Sequence, residues 1–112
     1  MADTPALREP TFFILTALLP EPLHGYGIIQ AVEEMSDGRV RLRAGTLYAA
    51  LERLENAGAV ALDREVSEGG PPRRYYRLTP AGVELLEAEG RRLADNAKLV
   101  RDGLRRARPR TA

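Results

Sequence analysis

Residues 10 to 19, PTFFILTALL, are apolar almost all round, which predicts a helix buried on more than one side, with Pro10 in its first turn and Pro20 and Pro22 ending it. In HGYGIIQAVEEMS, residues 24 to 36, Ile28, Val32 and Met35 recur at spacings of four and three with Gln30, Glu33 and Glu34 opposite, so a second, amphipathic helix is expected. Asp37 and Gly38 break the pattern, and RVRLR at 39 to 43 alternates arginine with Val40 and Leu42, a short extended segment. A third helix follows in AGTLYAALERLENAG, residues 44 to 58, where Leu47, Leu51 and Leu54 form the apolar stripe and Gly58 supplies the stop. Its other face carries Thr46, Tyr48, Ala49, Glu52 and Arg53. Then AVALDREV turns Val60 and Leu62 inward, SEGGPP makes a turn, and RRYYRLT sets Tyr76 and Leu78 against Tyr75 and Arg77, which predicts an antiparallel hairpin.

Thr79 followed by Pro80 reads as a helix cap with proline at the first helical position, opening a last helix to about Ala107. Within it Val83, Leu86, Gly90, Leu93, Ala97, Val100, Leu104 and Ala107 step by three and four in strict alternation. A seam of mean period ~3.5 over several turns asks for a helix packed lengthwise, and no other segment of this chain has that length. The expected partner is a second copy, with Gly90 and Ala97 allowing close approach; folding back on its own domain is the alternative. The basic tail RRARPR, 105 to 110, reads as a disordered solubilising end, with non-specific attraction to DNA as the alternative.

At 112 residues the chain has the length of one domain. With no cysteine and one histidine it has no disulfide scaffold, zinc ribbon or thiol nucleophile, and neither metal nor cofactor is expected. No uninterrupted apolar run, FFIL at 12 to 15 included, approaches the roughly 20 residues of a spanning helix, so no membrane partner is expected. The first residues, MADTPALREP, have no basic stretch before an apolar run, so the cytoplasm is the expected location. Net charge is only +1, but it is unevenly spread. Residues 1 to 38 hold the single base Arg8, whereas residues 39 to 77 hold Arg39, Arg41, Arg43, Arg53, Arg64, Arg73, Arg74 and Arg77 against five acids. The middle of the chain therefore carries the positive face.

Three short helices, a hairpin and a long helix make a mainly α fold with a small β-hairpin, in the order of a winged helix-turn-helix. Residues 1–79 are expected to form that domain, and residues 80–112 a C-terminal dimerisation helix and tail. At residue level LREPTFFILTAL, HGYGIIQAVE, RLRAGTLYAALERLENAG and GGPPRRYYRLTPAG each resemble segments of the PadR family of transcriptional regulators. The resemblance covers residues 7 to about 82 closely and implies a homodimeric, usually repressive, DNA-binding protein. It implies that Gly45, Thr46, Leu47 and Tyr48 open the recognition helix and that Pro71 to Arg74 form the wing. Ala49 stands where many relatives have proline, and the chain lacks the tryptophans between which some relatives hold flat aromatic drugs.

The residue chemistry agrees with an operator-binding reading. Small Ala44 and Gly45 let a helix start approach phosphate, while Thr46, Tyr48, Ala49 and Arg53 lie off the apolar stripe, with Arg53 the candidate for reading a guanine. Arg43, the best placed of the three arginines before that helix, and Pro72, Arg73 and Arg74 at the wing complete the candidate DNA surface. Candidate dimer residues are Phe12, Phe13, Leu86, Leu93, Ala97, Val100 and Leu104, and a small hydrophobic or aromatic effector is a candidate third partner beside operator and second copy. A third reading, a pure small-molecule carrier, needs a pocket between the last and first helices of two protomers, which Phe12, Phe13, Leu93 and Ala97 either line or fill, and filling is the expected outcome.

Each residue also has a plainer reading. The Tyr48 ring packs between helices, Arg53 pairs with Glu52 or Glu55, His24 is a hydrogen-bonding cap, and Tyr75 and Tyr76 belong to the sheet and core. An enzyme is disfavoured because the lone histidine has no partner set. The main rival to DNA binding is a winged-helix module that binds protein, which would show apolar anchors on the exposed face of residues 44 to 53.

Overall fold

The computed structural model describes residues 6–108. In chain order the elements are α1 (Glu9–Ala17), β1 (Leu23–His24), α2 (Gly25–Met35), α3 (Ala44–Asn56), β2 (Val60–Val66), β3 (Arg73–Leu78) and α4 (Pro80–Ala107). The core joins Ile14 and Leu15 of α1, Ile28 and Val32 of α2, and Leu47, Ala50, Leu51 and Leu54 of α3 to Val60, Tyr76 and Leu86. Thus α2 and α3 supply the stripes that the apolar periodicity predicts, while α1 buries Ile14, Leu15 and Ala17 and half-buries Phe12, Phe13 and Thr16 on its other sides.

Three details depart from the sequence reading. Met35 stays largely exposed, and the buried position at the end of α2 goes to Ser36. The Ser36 hydroxyl accepts from the Val40 amide at 2.9 Å, while Gly38 N donates to the Glu33 carbonyl and Asp37 N to the Glu34 carbonyl, a Schellman ending with Asp37 at φ 52°. Residues 39–43 alternate as expected, with Val40 and Leu42 inside, yet pair with no strand; the Ser36 anchor and the ion pairs Arg39–Glu9 at 3.9 Å and Arg41–Glu33 at 3.1 Å orient them instead. The sheet has a third strand, in the order β1-β3-β2, because Leu23 pairs with Tyr76 and His24 with Tyr75. Two residues are too few to show a period-two pattern.

The hairpin contains a bulge at Asp63, since Leu62 faces Tyr76 and Arg64 faces Tyr75. The freed Asp63 carboxylate pairs with Arg64 at 2.8 Å and Arg77 at 3.8 Å.

The junction of α3 with α4 is the tightest place in the fold. Gly58 closes α3 at φ 78°, with Ala59 N donating to the Leu54 carbonyl at 2.9 Å. The Ala59 carbonyl then accepts from Thr79 N at 3.1 Å, the Thr79 hydroxyl donates to the Gly58 carbonyl, and Gly82 N donates to the Thr79 side chain at 3.1 Å. A Cβ on Gly82 would overlap the Ala59 carbonyl oxygen and lie 3.0 Å from its carbon.

From this junction α4 runs along α1 for its first turns. Leu86 is 7% exposed and joins the protomer's own core, which corrects its expected place in a dimer seam. Glu89 is 5% exposed; its carboxylate accepts from the Leu7 amide at 3.3 Å and pairs with Arg92. Beyond that point residues 93–101 are all exposed, and the molecule extends 71 Å along its long axis. No helix among the described residues is long and apolar enough to cross a membrane.

Replacing Gly82 by alanine is expected to lower stability by about 1–3 kcal/mol, because backbone rather than a flexible side chain must yield. Thermal melts check this; an unchanged Tm would show that the start of α4 shifts freely.

Candidate nucleic-acid interface

One side of α3 is buried through Leu47, Ala50, Leu51 and Leu54, so Arg43, Ala44, Gly45, Thr46, Tyr48, Ala49, Glu52 and Arg53 all stand on its exposed side. At 100° per residue the line opposite the core is Gly45, Ala49, Glu52 and Asn56, at spacings of four, three and four. Gly45 is open, since an added Cβ would meet nothing within 4 Å. The fold therefore has no steric need of glycine there, although glycine costs up to about 1 kcal/mol against alanine within a helix.

The two flanks of this line face different neighbours. On one, Arg53 lines a cleft with Ala6, Leu7, Arg8 and Thr11 at the start of α1, and it forms no ion pair with Glu52 or Glu55. On the other, Tyr48 is 49% exposed yet rests the hydroxyl end of its ring on α2, where a Cβ at Gly25 would lie 2.9 Å from its Cζ. The expected packing between helices is thus realised at one end of the ring. Tyr26, next to Gly25, is also exposed and brings a second phenol to this end of the domain; its place in the first turn of α2 was visible in the sequence, its outward direction was not.

His24 stands at the N-cap of α2 but makes no side-chain cap hydrogen bond, so its expected capping role is corrected. Its ring instead lies 5.2 Å from that of Tyr75, and a Cβ at Gly27 would press on it at 3.3 Å. The HGYG run therefore fits two rings, those of His24 and Tyr48, against one helix start.

In the wing, residues 67–74 are all exposed. Pro72, Arg73 and Arg74 leave the turn together, but their side chains diverge. Arg73 forms no ion pair among the described residues and lines a shallow groove with Val66, Glu68, Gly70, Pro71 and Tyr75. Arg74 faces Glu65 across the hairpin at 3.6 Å, with its guanidinium 5.9 Å from the centre of the Tyr76 ring. Burial pushes the Tyr76 hydroxyl above its ordinary pKa, with Arg74 opposing, so the ring stays neutral.

A second surface lies between α1 and α4, where Leu7, Glu9, Phe12, Phe13, Glu89 and Leu93 line a groove of about 160 Å³. Phe12 and Phe13 meet edge to face at 5.4 Å. Ala97 is not brought into this groove. Its volume is below the ~300–1,000 Å³ usual for small-molecule pockets. Further out, Leu93, Val100 and Leu104 are 45%, 61% and 57% exposed along one face, while Lys98–Asp102 at 2.7 Å and Asp102–Arg105 at 2.9 Å cover the other. Arg108 is the last described residue, so the end of the basic tail lies outside the described residues.

A helix with a polar, small-residue face beside a basic hairpin defines a winged helix-turn-helix module with a projecting helix. Residues 14–88 match the transcriptional regulator PadR-like family. Transcriptional regulator Rv3488 of Mycobacterium tuberculosis is 38% identical over 81 residues, covering 72% of each chain. An uncharacterized 37.1 kDa protein in transposon TN4556 of Streptomyces fradiae is 48% identical over 87 residues, where this chain spans only 24% of that protein's length. The Bacillus subtilis PadR structure in complex with operator DNA superposes with a TM-score of 0.64 at 25% identity, over 71% of this chain and 45% of that one. The chain belongs to the PadR-like family of transcriptional regulators.

If the tip of Tyr48 is what forbids a side chain at position 25, Gly25→Ala should cost about 1–3 kcal/mol in the natural background and almost nothing beside Tyr48→Ala. Equilibrium unfolding of the four proteins measures this; equal costs in both backgrounds would refute the packing assignment.

Proposed function

We propose that the protein is a homodimeric repressor that reads a pseudo-palindromic operator by placing α3 of each protomer in successive major grooves, about one turn apart. The observation that carries this reading is the outer line of α3, where Gly45 and Ala49 leave the backbone open to close approach, Gly45 at no benefit to the fold. Among the described residues Arg43, Arg53 and Arg73 have no ion-pair partner, so three cations on and beside this surface remain available for phosphate. The operator complex of the Bacillus subtilis protein supports the same reading. A protein-binding module would instead display apolar anchors, and the only large ring on α3's exposed side is Tyr48, with its tip against α2.

Within this reading Arg43, Ala44, Gly45 and Thr46 approach the backbone and base edges, and Pro72, Arg73 and Arg74 carry the wing over the flanking sugar-phosphate. Arg53, turned toward Arg8, is assigned to a phosphate in preference to a guanine. The exposed seam of Leu93, Ala97, Val100 and Leu104 pairs with its copy, and Phe12 and Phe13 stand at its inner edge. A helix of 28 residues is about 42 Å long, so a small change in crossing angle moves the reading heads apart. The groove at Phe12, Phe13 and Leu93 is too small for a usual effector pocket, so a small hydrophobic or aromatic effector would act on that angle only through a site completed by the second protomer.

Selection from random duplexes at about 150 mM salt should enrich a palindromic motif; a dimer that enriches none would overturn the operator reading. Leu93→Glu is expected to yield monomers by light scattering and to lose full-operator binding, whereas a monomer that binds normally would break the proposed coupling. Arg53→Ala should weaken all sequences alike and reduce the salt slope by about one; a loss confined to one base position would restore the guanine assignment.

A further inference from the structure

Glu52 occupies a place that the operator reading leaves unexplained. It stands on the line opposite the core, after Gly45 and Ala49, and is the first side chain on that line long enough to reach beyond the helix backbone. Of the acids near the candidate DNA surface, Glu33 is paired with Arg41, Asp63 with Arg64 and Arg77, and Glu65 with Arg74, while Glu55 on the flank of α3 and Glu68 in the wing have, like Glu52, no ion pair among the described residues; of these three only Glu52 lies on the line opposite the core. Glu52 is exposed and has no ion-pair partner among the described residues. Arg53, its neighbour in sequence, is turned a quarter of the helix away into the cleft with Arg8.

An unpaired carboxylate in the middle of a surface that meets phosphates raises the cost of every approach to DNA, unless the duplex offers a donor at that point. In the major groove such donors are the N4 amino group of cytosine and the N6 amino group of adenine, but adenine sets its N7 acceptor beside the donor, where it repels a carboxylate, so cytosine is the better partner. We infer that Glu52 determines specificity: its carboxylate accepts a hydrogen bond from a cytosine N4 in each half-site and penalises duplexes that present only acceptors or a methyl group there. This rests on the operator reading above, and it adds discrimination by exclusion to the attraction supplied by the arginines.

The test repeats the random-duplex selection with Glu52→Gln and Glu52→Ala, both surface changes whose folding is checked by thermal melts. Wild-type protein should require cytosine at one position of each half-site. With Glu52→Gln that position should turn toward adenine, whose N6 and N7 suit an amide, by about tenfold. With Glu52→Ala it should become indifferent, and binding to unrelated duplex should strengthen several-fold. A wild-type motif reproduced position by position in both variants, with unchanged binding to unrelated duplex, would overturn this inference alone. A wild-type protein that enriches no motif would overturn the operator reading and this inference with it.

Discussion

The fold depends on one close approach, that of the first turn of α4 to the chain leaving α3. The Ala59 carbonyl accepts from the Thr79 amide, and the absence of a side chain at Gly82 lets the helix start press on that same peptide. Both ends of the hairpin are thereby held at one point, because Ala59 precedes β2 and Thr79 follows β3. The direction of α4 is thus tied to the end of α3 by backbone groups, which have few alternative arrangements.

The apolar stripe of α4 illustrates how one periodicity serves two environments. Gly82 and Leu86 lie against the protomer's own domain, and Glu89 continues that face as a buried carboxylate held by the Leu7 amide and Arg92. A buried carboxylate with these partners is satisfied, whereas alone it would be costly. The same stripe then leaves the domain and is exposed at Leu93, Val100 and Leu104, opposite the ion-paired face at Lys98, Asp102 and Arg105. Leu99 is 69% exposed away from the stripe, and nothing in the fold accounts for it.

Charge near α3 and the wing is distributed by pairing more than by composition. Arg39, Arg41, Arg64, Arg74 and Arg77 each face a carboxylate, which leaves Arg43, Arg53 and Arg73 in the same stretch without an ion-pair partner among the described residues. A net charge of +1 therefore does not describe the surface, where Arg43, Arg53 and Arg73 and the acids Glu52, Glu55 and Glu68 stand without an ion pair among the described residues.

Helix positions were legible from the sequence by themselves. Ile28 with Val32, Leu47 with Leu51 and Leu54, and the cap at Thr79 are local patterns, set by the helical repeat and by hydrogen bonds within a few residues. The same repeat identified Thr46, Tyr48, Ala49, Glu52 and Arg53 as a side free of core duties, and Leu93, Val100 and Leu104 as a stripe without a partner in the chain. What lay beyond the sequence were relations between elements distant along the chain. That Leu23 and His24 join the sheet, that Leu86 belongs inside, that the tip of Tyr48 rests on Gly25, and that Arg53 turns toward Arg8 while Glu52 faces outward were decided by tertiary packing. Periodicity divides a helix into faces, but only the neighbours that arrive from elsewhere determine what each face meets.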